Sequence, residues 1–427
     1  MKVLMLRHNL HQLVLDHADE VYAVLDRSPG CLALPPETLA RFAGVYWISS
    51  YDSLEDLSAV AGDLLTRGTG IDRIVSFPEF TQYAAGYLAH LLGLEHFSPS
   101  VALGTRDKRV TKFRAAQAGL PTARWYSIPD LATADPAAIE QAVGYPLVLK
   151  PAGGWGTVST VKVDDSAGLE EALRTIADAL PSPLSAQFVA EEFIAGEEFH
   201  VDAVWRDGRP WIFHVSRYFS PRLQAWSGKT AHGSVLLRES EFADLYAQLL
   251  KLNTQLNSAV GIERGATHLE VFREHDTGRL LVSEIASRVG GANVSDVVEA
   301  LGGVHGGVIA LHELLDGDLA DLPFTPGRYP VVGGLCLVPE RSGVIVSVPD
   351  RSELLAHPNV LGAATYHQAG DHVDASHPSA WCTLLVIGAE TESELEQTAL
   401  ALSETFKIRT APAGDPSPAA APPARPA

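Results

Sequence analysis

The stretch His268-Leu269-Glu270-Val271-Phe272-Arg273-Glu274-His275-Asp276-Thr277-Gly278-Arg279-Leu280-Leu281-Val282-Ser283-Glu284-Ile285-Ala286-Ser287-Arg288 decides the reading of this chain. Two apolar runs flank the turn-forming residues 274–278, which is a hairpin signal. A three-residue loop at 276–278 pairs His275 with Arg279, sets Glu270 opposite Glu284 and places His268 opposite Ala286. Side chains two apart share a face, so His268, Glu270, Glu284, Ala286 and Arg288 project the same way. Opposed residues lie about 5 Å apart at Cβ, where like charges repel. The two carboxylates therefore need a counter-cation, and oxygen-only ligation suits Mg²⁺ or Mn²⁺ held together with substrate phosphates. A solvated sheet face is the bland alternative. The apolar strands and the adjoining Arg288, Gly290 and Gly291 weigh against it.

Working outward, Lys150 ends the apolar run Leu147-Val148-Leu149, and Pro151-Ala152-Gly153-Gly154-Trp155-Gly156-Thr157 follows. Glycines let backbone N–H groups approach a phosphate, and a nearby lysine adds charge. The segment is no Walker A, since no Gly-Lys-Ser/Thr closes it; a plain glycine-rich hairpin turn is an equal reading. Lys108 and Lys112 share a helix face four residues apart, which by itself describes a solvated basic face. Glu191-Glu192-Phe193-Ile194, followed by Gly196 and Glu198, has the composition of a hinge that offers backbone groups to a purine and a carboxylate to a ribose. It equally has that of a surface loop.

The first hundred residues alternate short apolar runs (residues 3–6, 20–25, 45–48 and 71–77) with amphipathic segments at 54–65 and 80–92, which predicts a small α/β domain with a parallel sheet. Arg7-His8-Asn9-Leu10-His11 stands after the first run in place of a GxGxxG, so no dinucleotide site is expected there. Helical spacing runs over 106–118, with Gly119 and Pro121 as stop signals. Strands are expected at 331–338 and 383–387, with a closing helix over 392–405. The nearly all Pro/Ala stretch 412–427 reads as a disordered tail.

The 427 residues carry 32 Lys and Arg against 52 Asp and Glu, a formal net charge of −20. Such a surface repels nucleic acid and anionic lipid, so neither is an expected partner, and an anionic ligand must find a local basic pocket. Three cysteines at unrelated spacings (Cys31, Cys336, Cys382) fit neither a disulfide framework nor a Cys-ligated zinc site, and they suit a reducing cytosol. The opening apolar stretch is too short for a signal peptide, and no apolar run reaches 18 residues. A cytoplasmic protein is expected.

Taken in order, Arg106-Asp107-Lys108, Leu149-Lys150-Pro151 with its glycine loop, the Glu191–Phe199 segment, His268-Leu269-Glu270 and Glu284-Ile285-Ala286-Ser287-Arg288-Val289-Gly290-Gly291 resemble the ATP-grasp superfamily of ADP-forming carboxylate–amine ligases, from the first strand to about residue 410. Within it the chain looks most like the branch of L-amino-acid ligases. The resemblance implies an α/β and α+β architecture. Its parts are an N-terminal parallel α/β domain (1–104), an ATP-grasp domain (105–327) with a central lobe bearing the glycine flap (105–190) and a nucleotide and metal lobe (191–327), and a C-terminal α+β region (328–411).

The resemblance further implies that Lys108 and Lys150 touch nucleotide phosphates beneath a flap of Gly153, Gly154, Gly156 and Thr157. Glu191 and the backbone of Glu192, Phe193 and Ile194 would hold adenine, and Glu198 the ribose hydroxyls. Glu270 and Glu284 would carry Mg²⁺ or Mn²⁺. Arg288 would stabilise negative charge developing on the reacting oxygens. Many members have Asn where this chain has Ala286; a small residue there also occurs in the amino-acid ligase branch. His268, Arg288, Gly290, Gly291 and Tyr218 are candidate substrate contacts, with Arg217, Arg222 and His232 in a loop-like stretch nearby. The implied activity joins an amino-acid carboxylate to an amine, with ATP as the activating substrate and a homodimer as the superfamily's habit. A purine-pathway or carboxylase-type ligase is the alternative, although the chain has no Met-Lys-Met-like biotinyl segment.

Overall fold

The computed structural model describes residues 1–154, 156, 158–179, 185–225, 231–375 and 380–412. Thr157 and nearly all of the Pro/Ala tail lie outside the described residues. The apolar runs of the first hundred residues form four parallel strands, β1 (Lys2–Leu6), β2 (Glu20–Leu25), β3 (Gly44–Trp47) and β4 (Arg73–Ser76), in the order β3-β2-β1-β4. Their runs are unbroken because both faces are covered. Leu4, Leu6 and Val24 pack to one side, and Val3, Met5, Ala23 and Leu25 to the other.

A second, antiparallel sheet has the order β5-β8-β6-β7, from β5 (Trp125–Ile128), β6 (Leu147–Pro151), β7 (Val161–Val163) and β8 (Phe188–Glu192). Ile128, Leu147, Leu149, Phe188 and Ala190 bury its inner face against residues of the helices Pro136–Val143 and Ser166–Ala179. That packing anchors β6, at whose end Lys150 stands.

The third sheet has eight strands. They are β9 (Gly196–Arg206), β10 (Arg209–Tyr218), β11 (His232–Leu236), β12 (Gly265–Glu274), β13 (Leu280–Ala286), β14 (Val331–Leu337), β16 (Val360–Thr365) and β18 (Thr383–Ala389). Their order is β13-β12-β9-β10-β11-β14-β18-β16. The strands after residue 328 therefore extend the sheet that carries the carboxylates. Only β15 (Gly343–Ser347), β17 (His372–Val373) and β19 (Arg409–Ala411) form a small sheet of their own. The closing helix spans Glu392–Thr405. Among the described residues no single helix is long and apolar enough to cross a membrane.

Three local expectations need correction. The helix expected from residue 106 starts at Lys108, because the Asp107 carboxylate accepts the Arg109 N–H at 2.9 Å and caps it; Arg106 ends the preceding helix. Arg217 and Tyr218 end β10 and His232 opens β11, so these three are not on a loop. The hairpin turn begins one residue earlier than expected, with Glu274 N–H bonded to the Arg279 carbonyl and Arg273 paired with Leu280. A bulge at Ser283 then adds one residue to β13 and restores Glu270 opposite Glu284.

The N-terminal sheet is tied to the rest by a run of ion pairs. Glu313, 1% exposed, takes Arg206 at 3.2 Å and Arg264 at 2.8 Å; Arg264 also meets Asp316 at 2.7 Å, and Asp316 holds Arg73 of β4. Glu313→Gln leaves two guanidinium groups without their buried counter-charge. It is expected to destabilise the protein by about 3 kcal/mol, read as a lower urea midpoint, whereas an unmoved midpoint would show that the run contributes nothing.

Candidate active site

A cavity of about 740 Å³ opens where the three sheets meet, and its floor is a row of carboxylates. Glu270 and Glu284 are cross-strand partners on β12 and β13, while Phe272 pairs with Glu198 on β9. All three acids project onto one face. Lys108 sits 2.9 Å from Glu284. Burial and the Glu270 charge push the Glu198 carboxyl above its usual range, although the Arg222 backbone N–H donates to it at 2.6 Å. Glu270 goes the other way. Burial would raise it, but the hydrogen bond and charge of His268 hold it below the usual range.

Behind Glu270 stands a buried polar relay. Asp202 accepts from His200 Nδ1 at 2.6 Å and from His268 Nδ1 at 2.8 Å, and His200 Nε2 meets Ser234 Oγ at 2.9 Å. Burial opposes the charge on His268, yet Asp202 overrides it and lifts the imidazole to about 10, so His268 is cationic at neutral pH. The Tyr218 hydroxyl donates to Glu270 Oε1 at 3.1 Å. His200, Asp202 and His268 are close enough to one another to ligate an ion. Both Nδ1 atoms, however, aim at one carboxylate at hydrogen-bond distance, which is the geometry of a proton-sharing relay. Gly290 is needed for this packing: a Cβ there would come within 2.5 Å of Asp202 Oδ1 and 3.0 Å of His268 Nδ1. The relay by itself accounts for a glycine at this position.

The lysines correct the reading of a solvated basic face. Lys112 is 1% exposed and Lys108 7%. Lys112 reaches Glu191 at 2.9 Å and donates to the Ser283 carbonyl at 3.2 Å, on the bulge itself; Lys150 meets Glu191 from the other side at 3.0 Å. Burial disfavours the charged Glu191, but the two ammonium groups hold its carboxyl below the usual range. The Glu191 side chain is thus engaged by two lysines. The N–H groups of Glu192 and Phe193 already bond to the carbonyls of Arg124 and Pro146. Among the described residues, Ile194 is the first hinge position whose N–H no protein carbonyl engages. Phe193 and Ile194 line the cavity, and the Glu192 carboxylate pairs with Arg124 at 3.1 Å.

In the glycine loop, Gly154 and Gly156 line the cavity while Gly153 does not. The Gly154 carbonyl accepts from Lys108 Nζ at 2.8 Å, and Arg106 reaches the Gly153 carbonyl. Arg288 donates to Glu79 through Nε and to the Val289 carbonyl at 2.6 Å. Arg106 meets Glu79 at 2.9 Å. Glu79 lies just after β4 in the N-terminal domain. No signal in the sequence marked it, because its partners are 27 and 209 residues away. Of the remaining candidates, Tyr218, Arg222, His268, Gly290 and Gly291 line the cavity. Arg217 instead turns to Glu392 at 3.1 Å and Glu396 at 2.9 Å, and His232 is absent from the lining.

The lining is not the basic pocket that the charge arithmetic demanded. Six Lys and Arg side chains (Arg106, Lys108, Lys112, Lys150, Arg222, Arg288) and the His268 imidazolium face seven carboxylates (Glu79, Glu191, Glu192, Glu198, Glu270, Glu284, Asp296). A polyphosphate entering so balanced a site needs additional positive charge. The opposed, oxygen-only pair Glu270 and Glu284 fits a hard divalent cation. Ala286, opposite His268, offers no further ligand.

Residues 143–296 match the ATP-grasp domain family. An L-arginine-specific L-amino acid ligase of Bacillus subtilis is 27% identical over 366 residues, covering 85% of this chain and 86% of that protein. In overall fold the chain is similar to the crystal structure of an L-amino acid ligase from Bacillus licheniformis (TM-score 0.75, 19% identity, 96% of this chain and 98% of that one). It is also similar to carboxyaminoimidazole ribonucleotide synthase from Aspergillus clavatus complexed with ATP (TM-score 0.68, 17% identity, 95% and 99% covered).

Two measurements test the relay. Because His268 is raised in the folded state, its contribution to stability is present below about pH 6.5 and is lost as pH climbs through about 10. The stability gap between wild type and His268→Gln should therefore narrow across that window; a constant gap would disprove a buried imidazolium. Tyr218→Phe frees Glu270 Oε1 to rotate and should weaken Mn²⁺ binding, in the presence of a non-hydrolysable ATP analogue, by about tenfold. Unchanged Mn²⁺ affinity would show that the tyrosine does not orient the carboxylate.

Proposed function

We propose that this chain, an ATP-grasp enzyme of the ADP-forming carboxylate–amine ligase kind, activates an amino-acid carboxylate as an acyl phosphate and joins it to the amine of a second amino acid. The observation that carries the proposal is the opposed pair Glu270 and Glu284 on the cavity floor, with Lys108, Lys150 and Arg288 around it. The similarity to amino-acid ligases over most of the chain supports the choice of substrates. Three unpaired, buried cysteines suit a cytoplasmic enzyme.

A carboxylate is a poor electrophile, because its oxide does not leave. Transfer of the γ-phosphoryl group to a carboxylate oxygen gives the acyl phosphate and ADP. The neutral amine then attacks the carbonyl carbon, the C–O bond to phosphate breaks, and the amine proton is lost as the amide forms. Lys108 and Lys150 align and neutralise phosphate oxygens, each exchanging a protein carboxylate for the nucleotide. The Arg288 guanidinium stands ready for oxygens that become negative in both steps. A divalent cation on Glu270 and Glu284 would supply the positive charge that the balanced lining lacks. The loop bearing Gly154 and Gly156 would cover the acyl phosphate and exclude water, which otherwise hydrolyses it.

Incubation with ATP, Mg²⁺ and a mixed amino-acid pool should release ADP and phosphate and yield a dipeptide mass. AMP and pyrophosphate as products would overturn the proposal. Glu284→Ala should lower turnover by at least about a hundredfold with an unchanged far-ultraviolet circular dichroism spectrum; wild-type turnover at saturating Mg²⁺ would remove Glu284 from the chemistry.

A further inference from the structure

Among the carboxylates of the cavity, Asp296 is unlike the rest. Glu79, Glu191, Glu192 and Glu284 are ion-paired, Glu270 accepts from Tyr218, and Glu198 accepts a backbone N–H. Asp296 sits in the first turn of the helix Val294–Gly302, eight residues beyond Arg288 across the Gly290-Gly291 loop. It is exposed to the cavity, and no cation or hydrogen-bond donor among the described residues engages it. Its charge is felt by Tyr366, which is 57% exposed and lines the same wall. The Trp381 ring stands edge-on to Tyr366, with centroids 5.0 Å apart and planes at 82°.

Two perpendicular aromatic rings beside a bare carboxylate attract a cation twice over, by the negative π faces and by the formal charge. His305, on the same lining, turns its Nδ1 to the Gly307 N–H at 3.1 Å. A neutral aliphatic side chain would leave the Asp296 carboxylate without a partner, and an acidic one would be repelled.

Resting on the ligase reading above, we propose that Asp296, Tyr366 and Trp381 form a side-chain subsite that selects an amino acid carrying a guanidinium or ammonium group. The α-carboxylate or α-amine of that substrate is turned toward Arg288 and the acid pair. The basic tail is turned toward the Asp296 wall.

The full-length protein with ATP and Mg²⁺ should turn over L-arginine or L-lysine with kcat/KM about tenfold or more above that of the neutral isosteres L-citrulline and L-norleucine. Asp296→Asn should collapse that ratio toward one, and Trp381→Ala should reduce it. Calorimetric titration of wild type with L-arginine and L-citrulline, in the presence of Mg²⁺ and a non-hydrolysable ATP analogue, reads the subsite without turnover. Equal affinities, or a ratio that survives Asp296→Asn, overturn the subsite while leaving the ligase reading intact. Arginine binding that discriminates against citrulline, without ADP release from any amino-acid pair, would support the subsite and sink the ligase reading instead.

Discussion

Three carboxylates that project from one face of a buried sheet are the constraint around which this molecule is arranged. Glu198, Glu270 and Glu284 stand on adjacent strands, close enough that burial and mutual repulsion push Glu198 above the usual carboxylate range. Left alone, such a row would protonate or pull the hairpin apart. The surrounding structure answers each charge. Lys108 faces Glu284, the His268 imidazolium and the Tyr218 hydroxyl face Glu270, and Arg222 supplies a backbone donor to Glu198. The relay of His200 and Asp202 then keeps His268 charged where burial would neutralise it.

The hairpin that bears two of these acids shows what a sequence can and cannot state. Alternation and turn chemistry located the strands and paired Glu270 with Glu284, yet two departures from regular pairing cancelled in reaching that result. The turn starts one residue early, and the bulge at Ser283 restores the count. The register alone would have put Ser283 opposite Glu270. No propensity announces such a bulge, but its consequence is legible afterwards, because the Ser283 carbonyl is delivered to Lys112. The same blindness affected Lys112. Four-residue spacing from Lys108 on a helix describes a solvated face equally well, and only tertiary packing buries both amines against β8 and β13.

What the sequence could not show is carried by long-range partners. Glu79 gathers Arg106 and Arg288 from different elements, and Asp316 and Glu313 gather arginines from β4, β9 and the residue just before β12. Each contact spans separations over which no local period operates. The continuous apolar strands of the N-terminal sheet and the closing helix were legible because burial imposes a pattern on neighbouring residues. An ion pair imposes one only on residues that the fold brings together.

This pairing also explains how a protein with a formal charge of −20 can receive a polyphosphate. The lining is nearly neutral, and most of its cations are already satisfied: Lys108 by Glu284, Lys112 and Lys150 by Glu191, Arg288 by Glu79. An incoming phosphate oxygen must therefore replace a carboxylate on each ammonium it takes. The released carboxylate then needs a partner of its own, and for Glu284 that partner has to be another cation. Charge exchange of this kind favours a ligand that brings anion and cation together over one that brings anion alone. On the proposed reading, selectivity for a metal-bound nucleotide would follow from the protein's own acid–base balance, without any excess of basic residues.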